Sequence, residues 1–129
     1  MDAEQQGTPA PPGSTAPPED QDGRISIDEF MRIDLRVAKV LSAERVPNSR
    51  KLITMTVDLG TEQRTIVAGI AEAYAAEALV GRSVAIVANL KPARLMGIES
   101  NGMVLAASDA GQPVLLAFDK EAPPGARIR

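Results

Sequence analysis

The chain has 129 residues, the length of one ordinary domain, and a formal net charge of −3 that argues against a polyanionic partner unless the charge is unevenly placed. It contains no Cys, His or Trp, which excludes disulfides, thiol nucleophiles, Cys or His metal sites and any triad built on an imidazole. No apolar run approaches the roughly 18 residues of a membrane span, so the composition is that expected of a soluble, cytoplasmic protein.

Residues 1–23 hold five prolines, three glycines and five acidic residues, with no Lys or Arg. Apart from Met1, nothing there is both apolar and larger than alanine. Such a stretch cannot bury enough surface to offset the entropy of ordering it, and a disordered acidic tail is expected. It lacks the basic start and apolar stretch of a signal peptide. The remainder, 24–129, is expected to be one folded domain. It keeps all 14 basic residues against 12 acidic ones, a net of +2. That is only mildly basic, so charge placement must decide what the surface binds.

Ser26-Ile27-Asp28-Glu29 has the form of a capping box and predicts a single helical turn before Phe30 and Met31. Ile33, Leu35 and Val37 alternate with Asp34 and Arg36 as a half-buried strand would. After Ala38 the phase shifts to Val40, which predicts a bulge or bend in a strand that runs to Val46. Ile53, Met55, Val57 and Leu59 then face one way and Thr54, Thr56 and Asp58 the other. Gly60-Thr61-Glu62-Gln63 makes a turn, and Arg64–Ala68 returns as the third strand of a hairpin.

Ala71–Leu79 is rich in alanine and glutamate and predicts a short helix, closed by Gly81. Ser83–Leu90 is nearly all apolar and predicts a fourth strand. Residues 91–102 have loop character, and Met103–Ala107 and Val114–Phe118 read as two more strands. The pattern is all-β. A five-stranded Greek-key OB barrel, with one short helix between its third and fourth strands and extra C-terminal strands, fits it best. A split sandwich with one helix fits nearly as well.

In an OB barrel, ligands are expected on the second and third strands and in the loops after the first and before the fifth. The first loop, 45–51, carries Arg45, Arg50 and Lys51 and no acid. The second, 89–102, carries Lys91 and Arg94 against Glu99. Arg36, Lys39 and Arg64 lie on strands, while Glu72 and Glu77 sit away from both loops in sequence. Taken alone, this distribution is equally that of an ordinary solvated surface. The three aromatics, Phe30, Tyr74 and Phe118, all fall outside the presumed face. Base stacking on rings, the usual hold on single strands, is therefore missing. Phosphate contact, ribose contact and shape remain, which is how folded RNA is read.

The segment 89–107, Asn-Leu-Lys-Pro-Ala-Arg-Leu-Met-Gly-Ile-Glu-Ser-Asn-Gly-Met-Val-Leu-Ala-Ala, resembles the signature of the tRNA-binding domain family. Residues 30–40 and 51–60 resemble that family's first two strands, and the likeness spans about 28–129. It extends to the C-terminal domain of methionyl-tRNA synthetases, to free-standing tRNA-binding proteins and to CsaA-type chaperones. The resemblance implies an OB barrel that binds tRNA largely by shape, usually as a homodimer; no cofactor is expected. Carried over by position, it points to Lys51, Asn89, Lys91, Arg94, Ser100 and Met103. Lys91 and Arg94 would neutralise phosphates. Asn89 and Ser100 would bond ribose or base edges, and Met103 would offer apolar surface, although Asn89 at a strand end and Met103 in a core would be equally ordinary. Arg36, Arg50 and Arg64 complete the RNA-binding set expected from charge.

The first loop departs from the family pattern at Arg50, where many members carry an acid, and at Val46, where several carry His. The expected role is a tRNA-binding module acting alone or assisting an aminoacyl-tRNA synthetase in trans. The competing role is a CsaA-like chaperone for unfolded or exported polypeptides. Enzymatic activity is not expected, because Asp58 with Glu62, or Asp109 with Asp119, lie in turns and loops where nothing tunes a carboxylate pair. No glycine-rich phosphate loop or metal-ligand spacing occurs either.

Overall fold

Ser26 stands three residues before Glu29, the spacing that lets each side chain satisfy the other's backbone N–H. In the computed structural model this is what happens. The Ser26 hydroxyl accepts from the Glu29 N–H at 3.1 Å, and the Glu29 carboxylate accepts from the Ser26 N–H at 2.8 Å. The helix α1, Ile27–Phe30, is one turn long. The Ser26 backbone N–H first, and the Ser26 hydroxyl second, hold the Glu29 carboxyl below its ordinary value. The structure describes residues 22–129, so nearly all of the expected acidic tail lies outside the described residues. The chain divides into a first unit ending at Arg32, which contains α1, and a second unit, Ile33–Arg129.

The second unit is a curled antiparallel sheet of the OB type. Its strands are β1 (Leu35–Arg45), β2 (Ile53–Asp58), β3 (Gln63–Ala68), β4 (Ser83–Val87), β5 (Ala93–Leu95), β6 (Ile98–Ser100), β7 (Met103–Val104), β8 (Ala106–Asp109), β9 (Gln112–Leu115) and β10 (Arg127–Ile128). The order across the main sheet is β3-β2-β1-β4-β7, with β10 also on β1. One long strand thus serves two neighbours. The first half of β1 pairs with β4 (Leu35 opposite Val87, Lys39 opposite Ser83), and the second half with β2 (Val40 opposite Val57, Arg45 opposite Ile53). Between Val40 and Ser42 the register slips by one residue, extruding Leu41. The sequence predicts a bulge in this strand, but after Ala38; the structure puts it at Leu41, where it bends β1 enough for both partners to belong to one curled sheet.

The core row differs from the expected alternation. The row facing the core is Arg36, Ala38, Val40 and, past the bulge, Ala43, because Arg36 lies opposite buried Ile86 and Ala38 opposite buried Val84. Val37 is buried too, on the opposite face, so β1 is covered on both sides there. Ile53, Met55 and Val57 of β2 alternate inward as expected and meet Ile66 of β3 and Ile86 of β4 in one core.

The short helix expected between the third and fourth strands is present as a helical turn, shorter than the 71–79 read from the sequence. Only a 3-10 turn, Ala76–Ala78, forms there. Ala71 is tied by its N–H to the Lys51 carbonyl at 2.9 Å, and Ala75 is extended (φ −78°, ψ 138°), which interrupts any α-helical ladder. Helix propensity yields to burial of Ile70, Ala71, Ala76 and Leu79 in the core. The predicted loop 91–102 is also more regular than expected. It contains the β5–β6 hairpin, with Met96 and Gly97 both at positive φ (50° and 81°), a type I′-like turn. The strands expected at 103–107 and 114–118 are broken into β7, β8 and β9, and Phe118 lies beyond them.

The C-terminal segment then returns to the sheet. The Gly125 N–H donates to the Val37 carbonyl at 2.7 Å, and the Val37 N–H donates to the Ala126 carbonyl at 2.9 Å. A Cβ on Gly125 would overlap the Leu59 carbonyl oxygen, and Gly125 has φ +87°. Only glycine lets the two backbones approach this closely.

Candidate functional site

The first loop is held as a compact turn by its own residues. The Val46 N–H donates to the Leu52 carbonyl at 3.0 Å and the Ser49 N–H to the Val46 carbonyl at 3.2 Å. The Ser49 hydroxyl accepts from the N–H groups of Lys51 and Leu52 at 3.3 and 3.1 Å. Asn48 takes the left-handed conformation at φ 66°, which asparagine tolerates. With the loop's backbone satisfied from within, Arg50 and Lys51 project outward and exposed.

The second loop is clamped at both stems. At its start the Asn89 side-chain oxygen accepts from the Asp34 N–H at 2.9 Å, and the Ala88 N–H donates to the Asp34 carbonyl at 2.7 Å. At its end the Asn101 N–H donates to the Thr65 carbonyl at 2.9 Å. The Ser100 hydroxyl accepts from the Val67 N–H at 2.9 Å and donates to the Gly102 carbonyl at 3.2 Å. Ser100 is only 4% exposed. Its hydroxyl closes β3 against β6 from within.

Arg64 joins the two stems. It lies opposite Val57, on the row that continues the inward-facing Met55–Ile66 pair. One guanidinium nitrogen, Nη1, donates to the Ala88 carbonyl at 2.6 Å and reaches the Asn101 carbonyl at 3.5 Å, while Nη2 pairs with Glu62 at 3.2 Å. Arg36 is engaged in the same manner elsewhere. It ion-pairs with Asp34 at 2.7 Å and donates to the Gly125 carbonyl at 3.0 Å. Of the residues singled out from sequence, Arg36, Arg64, Asn89 and Ser100 are therefore bound to the protein's own backbone and carboxylates. Arg50, Lys51, Lys91, Arg94 and Met103 are exposed.

Register relates the exposed group across the sheet. Thr54 of β2 lies opposite Val67 of β3, Val67 bonds Ser100 of β6, and Ser100 lies opposite Ala93 of β5. These are three strand steps, roughly 15 Å at about 4.8 Å each. Since 100–101 run antiparallel to 65–67, Glu99 points along β3 toward Ala68, which pairs with Ile53 at the exit of the first loop. Arg94, opposite Glu99, is carried to that same end. Lys91 lies between Ala88, beside Arg64, and Ala93, beside Ser100. Register thus carries Arg94 toward the end of β3 at which the first loop exits, with Lys91 nearer the Arg64 end of the same strand.

Two features modify the surroundings of these cations. The bond from Ala71 to Lys51 brings Glu72, one residue on and exposed, near the first loop, although the two are distant in sequence. Arg94 donates to the Gly97 carbonyl at 2.9 Å and stands 3.9 Å from Glu99, a solvated pair that leaves the guanidinium available. Leu95, Met96, Ile98 and Met103 are the apolar residues the sequence offers a polypeptide client; the RNA-binding set expected from sequence leaves out the hairpin tip, where Met96 is 56% exposed and Leu95 38%. Its only signal was Gly97, since methionine is not a residue that announces an I′ turn. Among the described residues no group of three or more Asp, Glu, His or Cys could hold a metal ion, and no helix is long and apolar enough to cross a membrane.

Residues 35–127 match the family described as "Putative tRNA binding domain". The methionine–tRNA ligase of Thermotoga maritima is 61% identical over 104 residues, which take in 81% of this chain and 16% of the ligase. The chain thus spans about one sixth of that relative's length. A MetRS related protein from Pyrococcus horikoshii has the same fold with a TM-score of 0.79 at 39% identity, over 82% of this chain and 98% of that one. The chaperone CsaA from Bacillus anthracis str. Ames follows with a TM-score of 0.76 at 31% identity, over 83% and 100%. With the barrel, its closing contacts and its loop signature all inside the matched span, this chain belongs to the tRNA-binding domain family.

Proposed function

We propose that this chain is a non-catalytic tRNA-binding module that reads folded RNA through backbone and shape contacts, acting alone or assisting an aminoacyl-tRNA synthetase in trans. One observation carries the reading. Arg94 of the second loop lies toward the end of β3 at which the first loop exits, which supports one patch of cations drawn from two loops some forty residues apart. Neither loop carries an aromatic ring. Lys51, Arg50, Lys91 and Arg94 bind phosphates in this proposal, and Met103, 48% exposed, meets a sugar or base. Arg36, Arg64, Asn89 and Ser100 shape the surface instead of touching the ligand.

The partner is tRNA, the working compartment is the cytoplasm, and two copies pair through the C-terminal strands. Val114 and Leu116, 45% and 42% exposed, support that pairing. The likeness to CsaA favours a second reading, in which unfolded polypeptide occupies the same face. Titration of whole tRNA against single-stranded oligonucleotides of equal length tests the first. Four or five phosphate contacts give a log–log salt slope of about −3 to −4, and tRNA binds more tightly than the single strands. Equal or tighter binding of the single strands refutes shape reading, and peptide binding indifferent to excess tRNA selects the chaperone reading.

A further inference from the structure

The hairpin tip breaks the rule for its turn. A two-residue I′ turn wants Asn, Asp or Gly at its first position, because both central residues have positive φ. This turn has Met96 there, at φ 50°, a conformation that strains an L-residue because its Cβ crowds the following carbonyl oxygen. Its side chain recovers nothing by burial, since Met96 is 56% exposed. Asparagine would serve folding better on both counts, so the methionine answers to something outside the fold.

Its surroundings indicate what. Leu95, next to it, is also exposed at 38%, so the tip presents two apolar side chains on the segment that carries the cations. Arg94 donates to the Gly97 carbonyl at 2.9 Å, which fixes its guanidinium at the tip itself. An apolar finger with a cation at its base complements a ligand with an apolar plate attached to an anion. A nucleobase on its phosphate has that form, and a flexible thioether suits a flat, uncharged face. An apolar peptide would match the finger but would leave the charge unused.

Resting on the RNA-binding reading above, we infer that Met96, backed by Leu95, covers an unstacked nucleobase of the folded RNA while Arg94 holds the phosphate beside it. The tip thereby selects RNA that displays an exposed base.

Met96→Asn tests this, since asparagine suits the turn and removes the apolar finger. Thermal stability should hold or rise. Affinity for whole tRNA should fall about tenfold, the value of burying one such side chain, with an unchanged salt slope. Independently of affinity, base-specific chemical probing at saturating protein should show a base protected by the native chain and reactive again with Met96→Asn. If the native chain binds no tRNA, the function proposed above fails. If it binds and Met96→Asn matches it in affinity and footprint, only the inference about the tip fails. Loss of polypeptide binding with tRNA binding intact overturns the inference in favour of a protein client.

Discussion

Replacing Arg64 by methionine separates two explanations of a basic residue in this family's fold. As a phosphate ligand, Arg64 would contribute charge to the RNA and little to folding. The structure instead sets its guanidinium on the carbonyl of Ala88, a residue only 8% exposed. A charge-assisted bond of 2.6 Å to a poorly solvated carbonyl is worth about 1.5–3 kcal/mol, and the 3.5 Å approach to Asn101 adds little at the limit of bonding geometry. The Glu62 pair is largely solvated on the carboxylate side and contributes about 0–1 kcal/mol. Arg64→Met should therefore cost about 2 kcal/mol, which for a domain of this size lowers the melting midpoint by about 8–16 °C.

Because the two carbonyls are the stems of the loop bearing Lys91 and Arg94, affinity for tRNA should also fall, with its salt slope unaltered. Arg64→Lys keeps the charge but loses the planar fork, so it should behave like the methionine variant. Circular dichroism melts beside salt titrations of tRNA binding decide the matter. A salt slope shallower by about one unit with an unmoved melting midpoint would refute the positioning role and make Arg64 a phosphate ligand.

Ser100→Ala should lower stability by about 1–3 kcal/mol, because the buried Val67 N–H loses its acceptor; urea denaturation reads this directly. Gly125→Ala should be more damaging than any single loop substitution. Its methyl would overlap the Leu59 carbonyl and its φ of +87° would strain, so loss of amide protection along Leu35–Val37 is the expected sign. The Glu29 carboxyl, held below its ordinary 4.5, stabilises α1 at neutral pH. That contribution is complete above 4.5 and is lost as pH falls through the lower folded value, so the Ser26 amide resonance should titrate below 4.5 and cease to do so in Glu29→Gln, which has no carboxyl to protonate.

Much of the architecture was legible because it rests on local chemistry. The capping box needs only Ser26 and Glu29 at the right spacing, and the β2–β3 hairpin needs only alternation about Gly60. That β1 carries a bulge was legible, but its place was not: burial of Val37 and Ala38 on both faces mimics a phase change before Val40, whereas the register shifts at Leu41. The length of the alanine-rich helix was hidden for a similar reason. Its propensity is helical, but contacts of Ile70, Ala71 and Leu79 with residues far along the chain set its path.

For the candidate site, the residue types were readable and their duties were not. Arginine, asparagine and serine look alike in sequence whether they face solvent or a carbonyl thirty residues away. Arg64 and Ser100 became closing contacts of the barrel only when β3 met the 98–104 segment. The sequence by itself determined the strand pattern, the positions of the charges and the lack of rings to stack on. Tertiary structure alone decided which cations stay exposed, which are spent holding the loops, and that Met96 stands at the tip. Spacing along a chain reports local periodicity, whereas burial and hydrogen-bond partners depend on strands that meet only after the sheet has curled.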